Sequence, residues 1–263
     1  MALSGLRNHL SQEGSACPGR AAGALATGKN AVAGAEPRLI VFDLDGTLVD
    51  SQRTIVEAMT AAFSDSGLAP PDRRSIRRVV GLSLEEAIVR LLPETAGCEA
   101  EAVAGRYRDA FLDLHADPAH EEPLYPGALE AIAALDRPDT LLGIATGKGR
   151  RGLRLVLQRH GLLERFVTLQ TADDGPGKPD PAMLSRAMAQ AGVERRATLM
   201  VGDTTFDMEM AQRAGVPGIG VGWGYHEPDE LLAAGAGQVV EAFDELLAVL
   251  AETFPAPGRE GER

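Results

Sequence analysis

Residues Leu39–Phe42 form a continuous apolar run that ends in two aspartates one residue apart, Asp43 and Asp45, and then Gly46. An uninterrupted apolar run of this length reads as a strand buried on both faces of a parallel sheet. Its C-terminal end therefore delivers two carboxylates to the sheet edge where open α/β folds hold their ligands. Carboxylates out of water are costly unless they meet a cation or hydrogen-bond donors. The stretch thus predicts an α/β fold with a metal ion beside its first strand and chemistry done there.

The rest of the chain repeats the alternation that a parallel sheet demands. Apolar runs at Leu39–Leu44, Leu141–Thr146, Phe166–Gln170, Leu199–Gly202 and Gly218–Gly222 are strand candidates. Between them, residues 127–135, 150–160, 181–191, 206–214 and 242–252 carry helical patterns. Asp180 followed by Pro181 suggests a helix start with aspartate as N-cap and proline in the first turn. Strands alternating with helices in this way build βαβ units.

One interval breaks the rhythm. More than ninety residues separate the first two strands, and they contain helical patterns only. Ile55, Met59, Ala62 and Phe63 share a face; Val103, Tyr107, Ala110, Phe111 and Leu114 share another. Ser83 and Glu86 have the spacing of a capping box. These stripes predict a small helical bundle inserted at the sheet edge, well placed to act as a lid. The expected organisation is an α/β core over 38–50 and 125–252, with a helical cap over 51–124. Residues 1–37, rich in Ala and Gly, and 253–263 are expected to be disordered tails, the first of them alternatively an over-extended start.

Composition excludes several function classes. The net charge of −12 disfavours a nucleic-acid partner. No apolar run approaches the ~18 residues of a membrane span, and no compact apolar stretch follows basic residues near the start. Two cysteines, Cys17 and Cys98, with no C-x-x-C, fit a reducing, cytoplasmic setting. The histidines show no metal-ligand spacing, and His226 reads as a surface residue. Arg73, Arg74, Arg77 and Arg78 read as a solvated basic patch, from which one arginine could meet a substrate carboxylate.

Later strands end in further chemistry-bearing residues: Thr146 after Leu141–Ala145, and Asp203 after Leu199–Gly202, with Asp207 four residues on. Lys178 precedes a helix in Gly177-Lys178-Pro179-Asp180. If the strands are parallel, Asp43, Asp45, Thr146 and Asp203 converge at one edge and Lys178 reaches it from a loop. Asp43-Leu44-Asp45-Gly46-Thr47, Thr146, Lys178-Pro179 and Gly202-Asp203-Thr204-Thr205-Phe206-Asp207, in that order, resemble the four motifs of haloacid-dehalogenase-type phosphatases. The helical insertion, Tyr125-Pro126-Gly127 and Gly222-Trp223-Gly224-Tyr225 are similar to the helical-cap subgroup that includes phosphoglycolate phosphatase. The resemblance spans about residues 38–250 and implies a Rossmann-like parallel sheet with an inserted all-helical cap.

It also implies roles. Asp43 is the expected nucleophile, forming an aspartyl-phosphate, and Asp45 the general acid and base. An unperturbed aspartate has a pKa of ~3.9, so the acid role draws on nearby negative charge. Lys178 neutralises the phosphate and Asp43, and Thr146 donates to the phosphate. Asp43, the Asp45 backbone carbonyl and Asp203 are the expected ligands of Mg²⁺, a hard cation suited to oxygen donors. Asp207 and Thr204 support them from behind, Asp207 by orienting Lys178 or a metal-bound water. Gly46 and Thr47 offer a turn whose N–H groups face phosphate, Gly147 and Lys148 lie near it, and Gly81 belongs to a cap loop that touches substrate. Gly147 departs from the pattern, since relatives often place Asn there.

The implied activity is Mg²⁺-dependent hydrolysis of a small phosphorylated metabolite of the phosphoglycolate type, by a monomer or homodimer. The alternatives are a β-phosphoglucomutase-type phosphomutase, a pyrophosphatase, or a non-enzymatic phospho-binding scaffold. Taken singly, each residue has a plainer reading, Asp43 and Asp45 as helix caps or Lys178 as a solvated lysine. The ordered set carries the assignment.

Overall fold

The computed structural model describes residues 36–93 and 99–253. The expectations for residues 1–35 and 254–263, and both cysteines, lie outside the described residues. Six strands form one sheet: β1 (Arg38–Phe42), β2 (Thr140–Ala145), β3 (Thr168–Gln170), β4 (Thr198–Gly202), β5 (Gly218–Val221) and β6 (Gln238–Val240), in the order β3-β2-β1-β4-β5-β6. Every neighbouring pair is parallel. The Rossmann-like sheet implied by the sequence is therefore present, with β1 at its centre.

Strand alternation sorts the core into two layers. Ile40 and Phe42 face one side, packing with α5 (Ala128–Leu135), α6 (Arg150–Arg159) and α10 (Phe243–Thr253) through Ile132, Leu153 and Leu246. Leu39 and Val41 face the other, against Met183 and Leu184 of α7 (Ala182–Ala191) and Met210 of α8 (Thr205–Ala214). Both faces of β1 are covered, which is why its sequence is apolar without alternation.

Among the described residues, five helices lie between β1 and β2; the first four, α1 (Gln52–Asp65), α2 (Arg73–Val79), α3 (Leu84–Leu91) and α4 (Ala100–Ala116), form the insertion, and α5 packs on the sheet. Ile55, Met59, Ala62 and Phe63 of α1 share a cluster with Ile76, Ile88, Val103 and Ala104. The chain enters and leaves this bundle along adjacent paths. Asp50 N–H donates to Pro123 C=O at 2.8 Å and Tyr125 N–H to Leu48 C=O at 3.0 Å.

Some local expectations change. β6 and α9 (Pro228–Ala233) had no clear periodicity, being only three and six residues long. The segment of the four arginines is α2, and part of it docks: Arg77 donates to Gly224 C=O at 3.3 Å and Arg78 pairs with Glu230 at 2.6 Å. Only half of the predicted capping box forms. Ser83 Oγ accepts from Glu86 N–H, but the Glu86 carboxylate pairs with Arg90 one turn on. At α7 it is Pro181 that occupies the N-cap, while the Asp180 carboxylate accepts from Ala182 N–H at 2.9 Å.

Candidate active site

The ends of β1, β2 and β4 bring the acidic residues to one edge of the sheet. Asp43 and Asp203 are buried there, and Asp207 reaches them from the first turn of α8. One carboxylate oxygen from each of the three lies within 4.8 Å of the others. Lys178, fully buried, sits among them, 2.8 Å from Asp43 Oδ1 and 2.6 Å from Asp207 Oδ1.

Each acid is also held by neutral donors. Leu44 N–H donates to Asp43 Oδ1 at 2.6 Å. Thr47 Oγ1 donates to Asp203 Oδ1 at 2.8 Å, and Tyr225 N–H to Asp203 Oδ2 at 2.9 Å. Thr204 caps α8 with a reciprocal capping box, its N–H and hydroxyl both donating to Asp207 Oδ2. Asp43 Oδ2 is buried and accepts no hydrogen bond.

The electrostatics follow from three carboxylates sharing one ammonium. Burial pushes the Asp43 carboxyl up to about 7 from 3.8; Lys178 opposes the shift and Asp207 adds to it. Asp203 is raised well above the ordinary carboxylate range by burial and by the charges of Asp43 and Asp207. Burial alone would lower the Lys178 ammonium, but Asp207 and Asp43 outweigh it and raise it. The cluster is short of positive charge. All-oxygen donors, the orphaned Asp43 Oδ2 and this deficit fit a hard divalent cation such as Mg²⁺.

Asp45 stands slightly apart. Its carboxylate is outside the acidic trio and pairs with Lys148 Nζ at 3.1 Å. Lys148 also lies over the Phe111 ring of α4, 4.3 Å from its centroid. The sequence placed Lys148 near phosphate; the structure makes it the partner of Asp45.

Other expected site residues shift in role. Gly46 has φ 87° and its N–H donates back to Val49 C=O, while Thr47 N–H donates to Leu44 C=O. Those N–H groups close the turn instead of facing a phosphate. Glycine is required at 46 because a Cβ there would lie 2.2 Å from Asp203 Oδ2. The Thr47 hydroxyl serves Asp203. Thr146 Oγ1 accepts from Lys148 N–H at 3.1 Å and lines the cavity, as do Gly81, Gly147 and Lys148. At Gly147 a Cβ would lie 2.1 Å from Leu82 C=O, so the loop between α2 and α3 occupies the space an asparagine would take.

Two parts of the site were not legible in the sequence. Gly224 and Tyr225 wrap Asp203, a Cβ on Gly224 falling 2.2 Å from the Asp203 Cβ. His226 is buried, not on the surface, and its Nδ1 accepts from Thr205 N–H at 3.1 Å. The small-aromatic pattern Gly222–Tyr225 was the available signal for the first; nothing local marked the second.

A parallel sheet whose central strand ends in this carboxylate–lysine centre defines a hydrolase class. The chain belongs to the haloacid dehalogenase-like hydrolases, whose family model matches residues 40–221. Over 210 residues it is 37% identical to "Probable phosphatase IndB" of Dickeya dadantii, covering 80% of this chain and 91% of that one. It is 33% identical over 228 residues to a phosphoglycolate phosphatase of Rhodospirillum rubrum, covering 84% and 93%. Among solved structures, a hydrolase from Pseudomonas syringae superposes with a TM-score of 0.73 at 31% identity, covering 82% of this chain and 98% of that one. No helix among the described residues is long and apolar enough to cross a membrane.

Proposed function

We propose that this chain is a Mg²⁺-dependent phosphatase that hydrolyses a phosphomonoester through an aspartyl-phosphate on Asp43. The observation that carries the reading is the gathering of Asp43, Asp203, Asp207 and Lys178 at the sheet edge with one Asp43 oxygen left free. The names of the relatives, several of them phosphoglycolate phosphatases, support the same activity.

Asp43 attacks phosphorus, forming the carboxyl–phosphate bond as the ester P–O bond breaks. Asp45 gives a proton to the departing alkoxide oxygen, then takes one from the water that opens the intermediate. Lys178 keeps Asp43 oriented and spreads positive charge toward the phosphoryl oxygens. Thr47 and Tyr225 N–H fix Asp203, and Thr204 fixes Asp207, so neither acid must reorganise during the reaction. A Mg²⁺ ion held by the Asp43 and Asp203 carboxylates with the Asp45 backbone carbonyl would supply neutralisation of the phosphate and of Asp43. The four helices 52–116 act as a cap over this edge, with the paired linkers at 48–50 and 123–125 as its attachment.

The test is phosphate release from an aryl phosphate with and without Mg²⁺. Activity is expected with the metal, lost on chelation and restored by adding Mg²⁺. Full activity in chelator overturns the metal assignment, and full activity in Asp43→Asn overturns the nucleophile. A phospho-binding scaffold would release nothing under any condition.

A further inference from the structure

The cavity beyond Asp43 and Asp45 is large, and its distant walls are apolar. Together with the end lined by Asp43, Asp45 and Thr146, it offers about 410 Å³ between the sheet edge and the helical insertion, partly open to solvent. Ile55 and Met59 of α1, Val79 of α2, Ala87 of α3, and Tyr107 and Leu112 of α4 line it away from the carboxylates. All four inserted helices therefore present apolar groups to the space that a leaving group must fill.

Charge in the same space points the same way. Three cationic side chains line the cavity: Lys148, Arg108 and Arg151. Lys148 is committed to Asp45, while Arg108, exposed, pairs with Glu85. Arg151 is solvent-exposed, where an ion pair gains little. Beyond the sheet edge, Glu85, Asp109 and Asp173 also line the cavity. The three acids match the three cations in number, so a second anionic group on the substrate would meet no net positive charge there, and no buried cation free to receive it.

A short acid phosphate would also leave the apolar walls in contact with water. Cavities of several hundred Å³ with apolar walls and a few convergent polar groups hold bodies of ring size or larger. We infer that the natural leaving group is an uncharged, ring-sized alcohol with a broad apolar face, and not a short carboxylate-bearing one. This rests on the phosphatase reading above and narrows its substrate class. Phosphate occupies the Asp43–Lys178 end, and the ring lies against α1–α4.

The experiment compares three esters of alkyl alcohols: 2-phenylethyl phosphate, ethyl phosphate and 2-phosphoglycolate, each with Mg²⁺. None has an aryl leaving group, so differences in kcat/KM report the fit of the leaving group. The phenylethyl ester is expected to exceed both others at least tenfold, chiefly through KM. Ala87→Phe, which narrows the cavity, is expected to reduce the phenylethyl-to-ethyl ratio at least tenfold; Leu112→Trp offers the same reading from α4 should the first variant fold poorly. Turnover of 2-phosphoglycolate equal to or above the phenylethyl ester overturns the inference while leaving the phosphatase intact. An unchanged ratio in both variants also overturns it. No phosphate release from any of the three, nor from an aryl phosphate, overturns the phosphatase reading and this one with it.

Discussion

Lys178 and Lys148 are both buried ammonium groups set against the carboxylates that end β1, yet they belong to different parts of the molecule. Lys178 lies between Asp43 and Asp207, and all three stand on core elements. Lys148 is shared: Asp45 on one side, the Phe111 ring of α4 on the other. Burial opposes the Lys148 charge, but Asp45 and then Glu122, in the segment leading back from the insertion, outweigh it and hold the ammonium protonated. The surroundings of Asp43, the proposed nucleophile, are thus built by one layer of the fold, whereas those of Asp45, the proposed acid, are half built by the insertion. A shift of the helices would change what Asp45 sees and leave Asp43 as it is.

The largest expected effect lies on the core side. Asp43→Asn should lower kcat by more than about 10⁴-fold, as loss of a nucleophile does elsewhere, with an unchanged far-UV circular dichroism spectrum. Next, Lys178→Met leaves two carboxylates buried without their cation and should destabilise by about 3–5 kcal/mol in urea unfolding. A loss under about 1 kcal/mol would break the contrast between the two lysines.

The pH response sharpens the same side. The folded Asp43 titrates near 7, raised by burial from 3.8. Between those values the folded, metal-free protein holds a proton that the unfolded chain has released. Its stability should therefore fall as pH rises across that window. Saturating Mg²⁺ should flatten the slope, and urea midpoints at both ends of the window, with and without chelator, check it. A slope of opposite sign in chelator would show that Asp43 is ionised at acid pH in the native state.

On the insertion side the effects are smaller. Lys148→Met should cost activity about 10²-fold through Asp45, with a stability loss below that of Lys178→Met. Smallest of all, Phe111→Leu should remove about 0.5–1 kcal/mol of cation–π attraction. A double-mutant cycle should couple Phe111 to Lys148 and not to Lys178. Equal coupling to both lysines would erase the distinction.

The fold was legible where periodicity was long. β1 and its neighbours are apolar throughout because both faces are covered, and α1 and α4 carry clear stripes. β6, a short edge strand with an exposed start, and α9 offered no such pattern. At the site, Asp43, Lys178 and Asp203 could be read because each follows or precedes a recognisable element. The partnership of Lys148 with Asp45 could not, since it joins residues 103 apart in sequence through tertiary packing alone. Neither could the use of the Gly46 and Thr47 N–H groups, which depends on how the turn closes on Leu44 and Val49.

Gly147 holds a last consequence. With the Leu82 carbonyl standing 2.1 Å from where a Cβ would be, the bare backbone at 147 works as a seat for the insertion's loop. Any residue larger than hydrogen would act as a wedge in that seam, propping the bundle away from the sheet. The absence of a side chain at 147 therefore permits the two bodies to meet, and Gly147→Asn should widen the resting gap between them.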